Sequence, residues 1–551
     1  MKKSKLFSRL LSAALILSVA SGCSGNTEQA SSQANVSDGE GNTISSNAEE
    51  SSQEVKSVEF PLTEQVTLSY WIPLSVNAAS VMDDYNGSLT YQKLEEITNV
   101  HIEFLHPAQG QATEQFNLML ASGDYPDIIS GGNTNYQGGS AKGVEDGVYL
   151  ALNDLIDQYA PNYKALQESD PQIARETAGV DGVQSVMWPI LIKENPCWQG
   201  PIIRKDWLDE TGLDVPETID EWEEMLRAMK ANHPDGIPLV VAASGSDSYN
   251  FPSSGTDAHG AFVGAFGVGP YFYVDNGTIK YGPIEDGFKD YLTVMNRWYT
   301  DGLIDKDFPA RENDVYDSML AAGEVGAIVR SIDTVDALLR SQGAEYIAAP
   351  YPSLNEGEKV QYRAKNWNTV SGEEVAISTQ CENPEIAVAW IDYAYSDEGS
   401  MLFNFGVENE TYTMENGEPA FTDIVLDNPE MAPEAANFRY KMDKGAYLRW
   451  GAYSNPTSLE NPEVMEQKIA WTENTGYDMV LPPISLSAEE SEEAADILST
   501  ADVYRQEMVL KFIMGVEPLD KFDEYVAELK NMGIETAVSV YQAAYDRFMA
   551  Q

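Results

Sequence analysis

Along the chain the apolar positions switch between two periods. Val66 to Pro73 (VTLSYWIP) alternates apolar and polar residues, the period of a strand, and forms the first strand with Trp71 at its carboxyl end. Leu94 and Ile97 in Tyr91–Thr98 have helical spacing, and Asn99–Phe104 (NVHIEF) returns to the strand period. Phe116, Leu118, Met119 and Leu120 give an apolar helical face. Ser122-Gly123-Asp124 ends that helix, because glycine accepts a left-handed C-terminal cap without strain, and Pro126 blocks its continuation. Asp127-Ile128-Ile129-Ser130 is a short buried strand, followed at once by Gly131-Gly132-Asn133-Thr134-Asn135-Tyr136. Helix and strand alternating in this way predict an α/β fold with a parallel sheet. Loops at the carboxyl ends of such strands form the ligand crevice, and this one is loaded with amides, a hydroxyl and an aromatic ring.

Further on, Thr218 and Glu221 form a capping box ahead of a helix whose stripe Ile219, Trp222, Met225, Leu226 and Met229 is core. Asn276-Gly277, within Phe272–Gly282, and Asn416-Gly417 have the favoured residues of type I′ hairpin turns. Phe288–Tyr299 is an amphipathic helix, Gly323–Arg330 a strand, and Ala364–Thr379 re-enters a sheet with Trp367 in a loop. Asn383–Met401 is helical with Ile386, Ala387, Trp390, Ile391 and Ala394 buried, and the last third is mainly helical. Residues 58–551 are too many for one ordinary core, so two lobes are expected.

The stretch LMLASGDYPDIISGG resembles the signature of the family 1 extracellular solute-binding proteins, the periplasmic or lipid-anchored receptors of ABC sugar importers. Leu150–Tyr163 follows the same family's helix behind the strand, Arg204, Asp206 and Trp207 match its Arg-Lys-Asp-Trp-Leu pattern, and FIMGVEPLDKFDEYVAELKNMGIE is similar to its large lipid-anchored members. The resemblance covers essentially all of 58–551 and implies a two-lobed periplasmic-binding-protein-like fold of type II, with a hinge between the lobes and a helical C-terminal part. It implies one lobe from 58–190 with 331–402 and another from 191–330 with 403–551. Val180–Trp207 is then the first crossing, with Trp188 and Trp198 on either side, and Arg330 and Asp333 lie at the return crossing facing the cleft. Trp207 is expected to pack its helix. The implied function is capture of a carbohydrate and its delivery to an ABC permease by a monomeric receptor.

The N-terminus places this receptor. Lys2, Lys3, Lys5 and Arg9 precede an apolar run, Leu10–Ala20, too short to span a bilayer and suited to a secretory signal. Ala20-Ser21-Gly22-Cys23 resembles a bacterial lipobox, which makes Cys23 the lipidation site; Ala20 stands where the usual Leu would be. Residues 24–57 carry no aromatic side chain and cannot bury enough apolar surface to order themselves. Signal, lipid-bearing Cys and tether together predict a protein held on the outer face of the cell membrane.

Charge and motifs narrow the chemistry. With 34 Lys+Arg against 88 Asp+Glu and a net charge of −54, a nucleic-acid partner is excluded. His101, His106, His233 and His259 lack the i, i+4 spacing of a zinc helix, and no G-x-S-x-G elbow, P-loop or G-x-G-x-x-G is present. Cys197 and Cys381 sit in no motif, and a bridge between them is not expected. The acids around Asp305 invite a calcium loop, but counting from Asp305 the positions that need Gly and Glu hold Ala310 and Tyr316, so they are read as a helix-capping loop. No metal or cofactor is expected. With 88 acids a carboxylate pair of glycosidase type is always available and carries no specificity. The 10 Trp and 29 Tyr do, because flat rings stack on the apolar faces of sugars while amides and charges bond the hydroxyls. The candidate ligand contacts are Trp71, Asn133, Tyr136, Trp188, Trp198, Arg330, Asp333, Trp367, Trp450 and Tyr453. A peptide or another small polar solute on the same fold is the nearer alternative, and an exported carbohydrate-cleaving enzyme the more distant one.

Overall fold

The computed structural model describes residues 58–551 except 192–195, 198, 242–260, 312, 340–342, 363–368, 371, 432 and 443. The signal segment, Cys23, the tether, Trp198 and Trp367 lie outside the described residues.

In chain order the strands are β1 (Val66–Trp71), β2 (Val100–Leu105), β3 (Ile128–Ser130), β4 (Ile190–Leu191), β5 (Gly200–Arg204), β6 (Ile237–Val240), β7 (Phe272–Asp275), β8 (Thr278–Tyr281), β9 (Val325–Arg330), β10 (Tyr346–Ala348), β11 (Val375–Ile377), β12 (Tyr412–Glu415), β13 (Glu418–Phe421) and β14 (Leu448–Arg449). They build one sheet in the order β11-β3-β1-β2 and another in the order β10-β5-β9-β6. In the first, β1 runs parallel to β2 and β3 while β11 is antiparallel, with Val375 opposite Ser130. In the second, β6 and β9 are parallel and β5 is antiparallel to β9, with Gly200 opposite Arg330. Both Asn-Gly sites form the expected hairpins, β7–β8 and β12–β13, with Asn276 and Asn416 at positive φ. The capping box of Thr218 and Glu221 is present, and the stripe behind it is buried.

The period of two along β1 explains how the first sheet is covered. Leu68 and Tyr70 enter the main core of the first lobe, whereas Trp71, with Ile129 and Ala376, points to the opposite face. A parallel sheet is buried on both faces, and here the helix Ala112–Ser122 covers the second one. Its Phe116 meets Trp71 edge to face with ring centroids 5.4 Å apart.

Each sheet has its own core. The core of the second lobe gathers Ile202 and Ile203, the stripe of Ile219–Asn232, Tyr291 and Trp298, and the C-terminal helices Ala488–Met514, Phe522–Asn531 and Ile534–Ala550. Trp207 is buried there, stacked on His233 at 3.9 Å. The packing divides the chain at other points than the boundaries expected from sequence. Helix Ile332–Leu339 and β10 belong to the second core, because β10 satisfies the edge of that sheet by pairing with β5. Residues 402–448 belong to the first: Phe403 and Tyr447 pack together at 5.4 Å, and β14 pairs with β4. Cys197 and Cys381 are not joined and lie in different cores. Asp305 pairs with Arg311 and accepts from the Asp307 N–H at 3.1 Å, as a capping acid does. Among the described residues no group of three or more His, Cys, Asp or Glu is placed to hold a metal ion.

Two expectations follow from this packing. Trp71→Ala removes a buried ring from a covered sheet face and should cost about 3–5 kcal/mol in urea denaturation; an unchanged midpoint would place the ring outside the core. The second concerns Asp392, whose carboxylate caps the helix Pro161–Ser169 by accepting from the N–H of Asn162 at 3.2 Å and of Tyr163 at 2.8 Å. Burial outweighs these bonds and pushes its carboxyl up to about 6. A folded-state value raised above the unfolded one gives stability that is present below the unfolded value and lost as pH rises through the folded one. Wild-type stability relative to Asp392→Asn should therefore fall between pH 4 and 7, by up to about 3 kcal/mol. Urea melts of both proteins across that range measure it, and a flat difference would contradict the assignment.

Candidate functional site

Three crossings join the carboxyl edge of one sheet to the second lobe. The first leaves the first lobe beside β11, where Met187 bridges to Val375 and Ile190 to Val370, and reaches the second lobe at Gly200, the start of β5. Because β5 is antiparallel to β9, Gly200 lies at the same edge as Arg330. The second crossing leaves from the end of β10, where the Ala349 N–H donates to Pro201 O at 2.9 Å, and re-enters the first lobe at Thr369–Val370 ahead of β11. The third runs from β14 to the helix Pro462–Asn474, which carries the second-core residues Val464 and Trp471. Ligands of open α/β sheets bind outside such edges, so the groups standing there define the candidate site.

In the first lobe the loop after β3 is held from below by Glu374. Its Oε1 accepts from the N–H groups of Asn133 and Thr134 at 2.8 and 2.7 Å and from Thr134 Oγ1 at 3.0 Å, and its carbonyl accepts from the Gly131 N–H at 2.7 Å. Gly131 takes φ 69, which the turn requires and a side chain resists. Asn133 Oδ1 accepts from Ser140 N and Oγ, both at 3.0 Å, and so anchors the start of the helix Gly139–Glu145. Tyr136 donates its hydroxyl to Asp146 at 2.9 Å. Half-buried Trp188 and Tyr136 pack on the small cluster that contains Trp71, so the structure brings these three aromatics together around the end of β3. The cluster itself accounts for Trp71, the candidate contact at the end of β1, which is buried against Phe116. Trp188 and Asn133 also border a small cavity with Ser185, Ser485 and Leu486.

The third crossing carries Trp450 and Tyr453. The Trp450 indole N–H donates to Ser400 Oγ at 3.0 Å and its ring meets Phe405 edge to face at 5.2 Å, while Tyr453 sits in the short turn Gly451–Ser454. Just beyond, Ser458 donates to Asp333 Oδ1 at 2.6 Å, and the buried Lys468 ammonium pairs with the same carboxylate. Arg330 is buried and paired with Asp317. The two charged residues expected to face the cleft are therefore both engaged within the second lobe and its crossing.

Sequence reasoning missed a charged cluster beside these groups. Half-buried Glu373 bonds Lys444 Nζ and Arg449 Nη2, each at 2.6 Å, and Arg449 also lies over the Tyr447 ring at 4.9 Å. Burial would push the Glu373 carboxyl up, but Arg449 and Lys444 outweigh it and hold it below the usual carboxylate range. Glu373 has φ 79, rare for a bulky residue. Two acids entering an apolar strand, Glu373-Glu374-Val375-Ala376-Ile377, were the available signal. Gln199, next to Gly200 at the edge of the second sheet, was overlooked beside the more conspicuous Trp198.

The family model described as bacterial extracellular solute-binding protein matches residues 79–401. The fructooligosaccharide ABC transporter substrate-binding protein FusA of Streptococcus pneumoniae serotype 4 is 24% identical over 530 residues, covering 90% of this chain and 93% of its own. Lipoprotein LipO of Bacillus subtilis strain 168 is 24% identical over 380 residues, 65% of this chain and 71% of its own. The solved structure of FusA in complex with kestose matches with a TM-score of 0.71 at 20% identity, covering 88% of this chain and 99% of that one, and shares the two-lobed fold. Since the family model spans more than half of the sequence, this chain belongs to the bacterial extracellular solute-binding proteins.

Proposed function

We propose that the protein is a lipid-anchored receptor on the outer face of the cell membrane that captures a carbohydrate, an oligosaccharide, and presents it to an ABC permease. What carries this reading is the composition of the two carboxyl edges and the crossings between them. Half-buried rings (Trp188, Trp450, Tyr453) stand beside hydrogen-bonding groups (Asn133, Glu373, Arg449), the pairing that a sugar's apolar faces and hydroxyls call for. A relative named for fructooligosaccharide and another named as a lipoprotein support the ligand class and the anchor. The receptor acts as a monomer, without cofactor or catalysis: the lobes close about the crossings, the ligand is bonded from both sides, and it leaves unchanged.

A thermal-shift panel of oligosaccharides and peptides tests the ligand class, since a ligand that binds only the native state raises the melting temperature. A shift with sugars and none with peptides is expected; the reverse would transfer the protein to the peptide-binding alternative. Product analysis of the same incubations should show no shortened sugar. Membrane attachment is tested separately. Cys23→Ser should move the protein from the membrane fraction to the medium, and a variant that stays with the membrane would rule out the lipid anchor.

A further inference from the structure

Gln199 immediately precedes β5, at the carboxyl edge of the second sheet where the first crossing arrives. The residue is 0% exposed. Its backbone carbonyl accepts from Tyr351 Oη at 2.9 Å, which ties the first crossing to the second. Its side chain is unlike the others at this edge. Among the described residues neither Oε1 nor Nε2 has a hydrogen-bond partner, and of the described buried side chains with orphaned polar atoms Gln199 alone has both ends of a polar group unmet. A buried amide without partners opposes folding, so such a group is expected to be met by something that enters the site. The charged residues at and just beyond the end of β9 are spoken for: Arg330, opposite Gly200, pairs with Asp317, and Asp333 with Lys468 and Ser458.

We propose that Gln199 is a ligand-binding residue, the second lobe's polar contact to the bound sugar. A carboxamide offers an acceptor and a donor side by side, which suits two adjacent hydroxyls, one donating to Oε1 and the next accepting from Nε2. In a dry position these bonds do not compete with water, so they weigh more than the same bonds on the surface. The assignment deepens the carbohydrate reading and rests on it.

Gln199→Met keeps the volume of the side chain and removes both polar atoms, and Gln199→Leu serves as a second apolar variant. The unliganded variants should melt at or above the wild-type temperature, because no hydrogen bond is lost. Calorimetry with kestose, maltotriose and trigalacturonate should show at least a tenfold loss of affinity for whichever probe the wild type binds. A lowered melting temperature of both unliganded variants would overturn the proposal, since the amide would then be bonded in the resting protein, to an ordered water for example. Unchanged affinity in a variant, with the wild type binding a probe, would overturn the role of Gln199 while leaving the carbohydrate reading intact. If the wild type binds none of the probes, the carbohydrate reading fails and this assignment falls with it.

Discussion

The Glu176 carboxylate fixes the place where the three crossings meet the first lobe. Its Oε2 accepts from the N–H groups of Thr369 and Val370 at 2.8 and 3.0 Å and from Thr369 Oγ1 at 2.6 Å. Thr369 O in turn accepts from the Leu191 N–H at 2.7 Å, and the Ile190 N–H donates to Tyr447 O at 3.0 Å next to the β4–β14 pair. First, second and third crossings are thus neighbours at the first lobe, with one carboxylate gripping the second. Burial raises the Glu176 carboxyl against the pull of these donors, so the cost of burying the group is only partly offset by its hydrogen bonds. Removing the acceptor would leave buried N–H groups unmet, which is why this grip matters more than an equal number of surface contacts. The relation of the two sheet edges, and so the shape of any site between them, depends on how these strands are held and bent.

Local features were legible in the sequence because local physics sets them. The Ser122-Gly123 stop, the strand Ile128–Ser130, the capping box at Thr218 and both Asn-Gly hairpins occur where turn chemistry and periodicity placed them. The two-sheet plan was legible too, from length and alternation. What periodicity does not encode is which lobe an amphipathic segment joins. Helix Ile332–Leu339 and the stretch 402–448 each carry a good apolar face, and only the long-range pairings β10–β5 and β14–β4 decide where that face goes.

The candidate site was legible in part, and for a related reason. Tryptophan draws attention as a ring that can stack on a sugar, but the same ring is the largest piece of core. Trp71 sits one residue beyond Tyr70, and the period of two sends it to a sheet face already covered by Phe116, so its burial was implicit in the strand assignment. Trp188 and Trp450 lie off the regular strands, where backbone alternation makes no such demand, and they stay half-buried. Glu373 had only the pair of acids ahead of an apolar strand to mark it, and Gln199 had no local signature. What marks them is a left-handed backbone in one case and an orphaned amide in the other, and both appear only when the chain is folded.

The pattern of charge pairing bears on how such a site can hold and release its cargo. A chain with a net charge of −54 has few cations to spend, and those at the two edges face carboxylates: Lys444 and Arg449 meet Glu373, Arg330 meets Asp317, and Lys468 meets Asp333. Each of these cations already has its counter-ion in this structure, and a ligand that displaced one would leave a buried charge unpaired, a step that would cost several kcal/mol. Holding Glu373 at φ 79 costs roughly 1–3 kcal/mol, a cost that its two short bonds to Lys444 and Arg449 oppose. On the proposed reading, affinity comes from ring stacking and a small number of hydrogen bonds, each modest in net worth. Interactions of that size can hold a ligand and still let it go, which is what a receptor that hands on its cargo intact requires.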